Sequence, residues 1–100
     1  MEVQPGLAST ARVAMDTPRR SLAQLCKHFQ HKLPVTLDEA HGRIDFPAGT
    51  CTLDARDEVL VMQVAAGDAA GLASLEDVIA RHLLRFAFRQ PPEIHWTRSA

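Results

Sequence analysis

Chemically capable side chains are densest in the string LCKHFQHK, which holds Cys26, Lys27, His28 and His31. Thiolate sulfur and imidazole nitrogen are ligands for zinc and iron, so the first reading to test is a metal site. The flanking residues have helical spacing, and at about 100° per residue Cys26 and His28 stand about 160° apart around the helix. Cys26 falls on the apolar side, while His28 and His31 fall among Arg20, Gln24 and Lys27 on the polar side. A joint Cys–His centre is therefore not expected, and only the two histidines could share a ligand. What remains is a basic face, with Arg20, Lys27, His28 and His31 as candidate residues for an anionic ligand and Arg19 and Lys32 beside them.

Cys51 lies in FPAGTCTL, where a glycine and a threonine precede a cysteine. Strand alternation turns it inward with Leu53, and no base or helix N-terminus adjoins it to lower its pKa. His82 sits at the margin of an apolar helical stripe with Leu75, Val78 and Phe86, the position of a half-buried histidine satisfied by a neighbour. His41 falls in a turn and His95 on an outward strand face, both in water, and Trp96 reads as core. The sequence contains no P-loop, dinucleotide-binding glycine pattern, HExxH, GxSxG or paired CxxC. The expectation is a binding domain with no catalytic residue, no protein-held metal and no cofactor. An enzyme using Cys51, or a metal held by His28 and His31, is the remote alternative.

Hydrophobic periodicity delineates the elements that must position these residues. Thr10–Met15 alternates as a strand with Ala11, Val13 and Met15 on one face. Asp16 or Thr17 is placed to cap a helix with Pro18 in its first turn, and Leu22, Leu25, Cys26, Phe29 and Leu33 form its apolar stripe. Pro34 ends it. The period then falls to two: Val35–Glu39 is a strand, Ala40–Gly42 a turn, and Arg43–Phe46 the returning strand; with Thr50–Ala55 it forms either one long strand kinked at Pro47–Gly49, the favoured reading, or two short strands. After the turn Arg56–Glu58, Val59–Ala66 places Leu60, Met62 and Val64 in the core. Asp68 is an N-cap for a second helix to about Phe88, with a stripe of Leu72, Leu75, Ile79, Leu83 and Phe86 and an Asp77–Arg81 pair on its polar face. Glu93–Thr97 closes the chain as a strand, Ile94 and Trp96 inward.

The predicted order is β-α-β-β-β-α-β. One apolar stripe per helix and one apolar face per strand are satisfied by a two-layer α+β sandwich, two helices on one face of a mostly antiparallel sheet. The other sheet face carries Thr36, Asp38, Arg43, Asp45, Thr52 and Asp54. Val59 and Val61 add apolar area to it, which makes a homodimer or a protein-interaction module the alternative function.

Composition sets the outer bounds. At 100 residues and 11.0 kDa, with 46% hydrophobic and 23% charged residues, the chain is one globular domain with an ordered core over about residues 8–98. A net charge of -1 and a pI near 6.5 argue against nucleic acid or an anionic membrane as partner. No apolar run approaches a membrane span, no secretory signal opens the chain, and two cysteines make no disulfide framework, so the expectation is a cytoplasmic protein. The charge is unevenly spread: residues 1–32 carry net +3 and residues 33–58 net -4. Either the first helix receives an anion, or an electropositive partner meets the acidic hairpins, or the two regions attract each other within the fold.

The strings ARVAMDTPRRSLAQLCKHFQHKLPV, DEAHGRIDFPAGTCTLDA and LEDVIARHLLRFAFR, followed by a strand containing Trp96, together resemble a bacterial domain family of unknown function over residues 8–98. Members of that family occur alone and fused to siderophore-interacting flavoproteins, which implies by association an accessory role in iron-siderophore metabolism. A ferric siderophore, haem propionates or a phosphate group would suit the basic helix face as the anion, and the resemblance implies a siderophore-reductase flavoprotein as a partner. It assigns no catalytic residue, and the flavin-binding portion of the fusions is absent from this chain.

Overall fold

A computed structural model describes residues 7–86 and 91–99. The elements are β1 (Ala8–Ala14), α1 (Pro18–Phe29), β2 (Val35–Leu37), β3 (His41–Phe46), β4 (Gly49–Arg56), β5 (Val59–Ala66), α2 (Ala69–Phe86) and β6 (Thr97–Arg98). The strands form one sheet in the order β2-β3-β4-β5-β1-β6, every neighbouring pair antiparallel. Alternation sends Ala11, Val13, Ile44, Cys51, Leu53, Leu60, Met62 and Val64 to one face, where they meet Leu22, Leu25 and Cys26 of α1 and Leu72, Leu75, Ile79 and Leu83 of α2. The result is the predicted two-layer α+β sandwich with both helices on one face. Asp68 caps α2 through Oδ1, which accepts the Gly71 N–H at 2.7 Å, and Asp77 pairs with Arg81. The predicted continuation of α2 to Phe88 lies outside the described residues.

The predicted kinked strand is two strands. Phe46 pairs directly with Gly49, so Pro47–Ala48 is a two-residue hairpin turn and the element order is β-α-β-β-β-β-α-β. The glycine is required by close approach and does not mark a kink: a Cβ on Gly49 would collide with the Ala65 carbonyl oxygen of β5. A second tight hairpin joins β4 to β5, with Arg56 opposite Val59 and Asp57 in the left-handed region at φ 51°, which aspartate tolerates. The first hairpin also differs from prediction. β2 stops at Leu37, because Asp38 Oδ1 accepts the N–H groups of Ala40 and His41 and turns the chain there, so Asp38 leaves the sheet face and His41 enters β3. The closing strand shrinks to Thr97–Arg98; Ile94 and Trp96 are half-buried against the core, as predicted, but outside the ladder.

Two contacts fix the layers. Gly42 of β3 lies directly beneath α1, where a Cβ would stand 2.5 Å from Cys26 Sγ and 3.5 Å from Leu22 Cδ2. At the far edge of the sheet, Arg98 of β6 grips Glu76 of α2 with two hydrogen bonds, Nε to Oε2 at 3.2 Å and Nη2 to Oε1 at 2.7 Å. The buried Ser9 hydroxyl lies beneath the same carboxylate, outside good hydrogen-bonding geometry.

Gly42→Ala is expected to lower stability by about 1–3 kcal/mol through overpacking. Cys26→Ala, destabilising by itself, should partly relieve it in the double variant, and urea denaturation of the four-member cycle measures that coupling. The Arg98 guanidinium holds the Glu76 carboxyl below the ordinary carboxylate range. A depressed acid stabilises the fold at pH values above its unfolded pKa, about 4.3 for glutamate, and the contribution disappears as pH falls through the folded value. Protection of the Ser99 amide, which donates to Ala8 O in this sheet edge, should therefore fall with acid in that window, and Glu76→Gln should flatten the dependence in hydrogen exchange.

Candidate functional site

α1 starts at Pro18 with Thr17 in the cap position, where the Thr17 side chain makes no capping hydrogen bond. It ends at Phe29, short of Pro34, where the sequence predicts its end. The Gln30 N–H closes the last turn on Cys26 O at 3.0 Å, and the Lys32 and Leu33 N–H groups fold back onto Phe29 O at 3.1 and 2.9 Å. The chain thus leaves the helix before Pro34, and His31 sits in the turn beyond it.

Cys26 is fully buried, while Arg20, Lys27, His28 and His31 are exposed. The thiol looks in and both imidazoles look out, as the spacing predicts. The four basic residues are nevertheless not gathered in one place. Arg20 and Lys27 share a flank of α1, with Arg20 about 12 Å from His28 along the helix axis. His28 instead turns toward α2, where its ring centroid is 4.8 Å from that of His82 with planes inclined at 48°. Phe29 packs on both rings at 5.0 and 4.8 Å, Phe86 approaches His28 at 5.8 Å, and Phe46 of β3 backs Phe29 at 5.2 Å. His82 donates Nδ1–H to Val78 O at 2.6 Å, since a carbonyl can only accept.

The electrostatics of this junction are one-sided. Partial burial and then the like charges of His82, Arg85, His31 and Lys32 hold the His28 pKa below its ordinary value. Basic residues belong here for a structural reason as well: Lys27 and His28 occupy the last turn of α1 and Arg85 that of α2, where they offset the negative ends of the helix dipoles. The acidic hairpins do not reach this far. Two of their acids have partners within the sheet, Asp45 with Arg43 at 2.9 Å and Asp54 with His41.

His82 and Arg85 are the residues that sequence reading left out of the basic site. Their signal was a second helix ending, like the first, in a histidine and a phenylalanine, but the packing of one helix end on the other is not visible in either alone. Elsewhere, His95 contacts Glu93 at 3.3 Å in the open. Trp96, Ile94, Leu84 and Pro92 line a shallow groove on α2 whose acids, Glu76 and Asp77, are engaged by Arg98 and Arg81. Among the described residues no group of three or more His, Cys, Asp or Glu is placed to hold a metal, and no helix is long and apolar enough to cross a membrane.

Burial pushes the Cys26 thiol up to about 11 and that of Cys51, aided by Cys26, to about 12. Neither forms a thiolate near neutrality. Both should resist iodoacetamide in the native protein and react after denaturation; mass spectrometry of the labelled chain reads the difference, and rapid native labelling of Cys51 would revive a nucleophilic role.

The family described as an uncharacterized protein conserved in bacteria (DUF2218) matches residues 10–97. An NMR structure of PA4090 from Pseudomonas aeruginosa superposes with a TM-score of 0.79 at 35% sequence identity, covering 91% of this chain and 95% of that one. No curated protein matches. With the match running from β1 into β6, the chain belongs to this family of uncharacterized bacterial proteins.

Proposed function

We propose that this is a binding or accessory domain that takes an anionic ligand where the C-terminal ends of α1 and α2 meet. The observation that carries the reading is that the side chains whose charges lower the His28 pKa are all basic: His82 and Arg85 of α2, and His31 and Lys32 of the turn that follows α1. Arg20, two turns back along α1, and Lys27, on the outer flank of its last turn, add positive charge that steers an approaching anion. Ferric siderophores, haem propionates and phosphate groups have the required charge. Resemblance to domains fused to siderophore-interacting flavoproteins supports iron-siderophore metabolism as the setting, with a siderophore-reductase flavoprotein as partner.

A homodimer through the uncovered sheet face is the second reading, resting on half-buried Val59 and Val61. That face is otherwise polar, crossed by a row in which Thr36, Arg43, Thr52, Gln63, Thr10 and Thr97 pair in register. The large hydrophobics exposed among the described residues, Leu37 and Leu84, lie elsewhere, which favours the anion reading. Sedimentation at two concentrations separates them: a strict monomer removes the dimer.

Titration with a ferric siderophore, haem and inorganic phosphate, followed by amide NMR, should shift residues 28–32 together with 82–85. Arg85→Glu should weaken binding about tenfold, equivalent to about 1.4 kcal/mol. Unmoved resonances at both helix ends with all three ligands would overturn the reading.

A further inference from the structure

We infer that the anion suited to this junction is one that carries a transition-metal ion, with His28 and His82 supplying two imidazole nitrogens to an anionic chelate that has adjacent open coordination positions. The inference rests on the anion reading and adds the chemistry of the ligand. Metal–nitrogen bonds of about 2.0–2.1 Å put imidazole centroids about 3.2 Å from an ion, hence about 4.5 Å from each other at a right angle and about 5.2 Å at the tetrahedral angle. The observed separation of His28 and His82 is 4.8 Å, between the two.

The surroundings match that use. The bond from His82 Nδ1 to Val78 O is the kind of outer hydrogen bond that orients a ligating histidine and leaves Nε2 free for the ion. The Phe29 ring packs against both imidazoles, which limits their rotation, and His28 keeps an exposed side through which a ligand enters. The two rings come from different helices already packed together, so their relative placement does not have to be created on binding. No third protein ligand stands with them among the described residues, so the ion must bring its remaining ligands. Arg85 and Lys32 decide which ligands those are: their charges repel a hydrated dication and attract the carboxylates of a chelator. Coordination exchanges solvent on the metal for imidazole, with no redox change.

Copper(II)–nitrilotriacetate, a negatively charged chelate, is the probe. Electron-spin-echo measurements should show two imidazoles on copper in the wild type. His28→Ala, at an exposed position, and His82→Gln should each weaken binding at least about tenfold and leave a single imidazole signal, while His31→Ala keeps both. Arg85→Glu should weaken the anionic chelate and strengthen positively charged copper(II)–bipyridine. A wild type showing one imidazole, or binding the chelate no better than His28→Ala does, overturns the inference. If metal-free citrate then still shifts residues 28–32 and 82–85, the anion reading survives alone; if citrate also leaves them unmoved, both fall.

Discussion

The close approach of α1 to β3 at Gly42 governs much of this molecule. Because only a hydrogen lies beneath Cys26, the helix settles onto the sheet with its thiol side down, and its rotation about its own axis is thereby set. Everything that α1 presents elsewhere follows from that rotation. With Cys26 and Leu22 pressed onto β3 and β4, His28 is carried to the side that faces α2, while Arg20 and Lys27 remain in water. A packing detail in the core therefore determines the composition of a surface site on the other side of the helix.

Electrostatics then add a second layer of constraint. Two helix C-termini converge, and each brings a partial negative charge with it. The basic residues of the last turns, Lys27 and His28 on α1 and Arg85 on α2, offset those partial charges. On the sheet, by contrast, some acids have a basic neighbour across or along the strand, as Asp54 has His41 and Asp45 has Arg43.

The architecture was legible because it depends on periodicity, a short-range property. Spacing alone placed Cys26 inside and His28 outside, assigned the inward faces of β1, β4 and β5, and identified the Asp68 cap. It failed where one pattern serves two geometries. A strand kinked at Pro47–Gly49 and a hairpin turning at Pro47–Ala48 alternate identically, and only the register between Phe46 and Gly49 separates them. The helix end was misjudged because Leu33 continues the apolar spacing although the backbone has already turned at Gln30. The site was half legible: His28, His31 and Lys32 share one segment, whereas His82 and Arg85 join them only through the packing of one helix end on the other, a contact between residues more than fifty apart in sequence.

The short terminal strands have a bearing on how copies of the chain can meet. The sheet is bounded by β2, three residues long, and β6, two residues long, and among the described residues the backbone groups of β1 around Arg12 have no strand beside them beyond Thr10. So brief a ladder gives an incoming strand little to extend, and the exposed guanidinium of Arg12 discourages it further. Both rims therefore offer little for lateral growth into ribbons. A lasting encounter with another macromolecule is channelled to the broad surfaces of the molecule: the helical layer with its positive end, or the threonine-crossed sheet behind it.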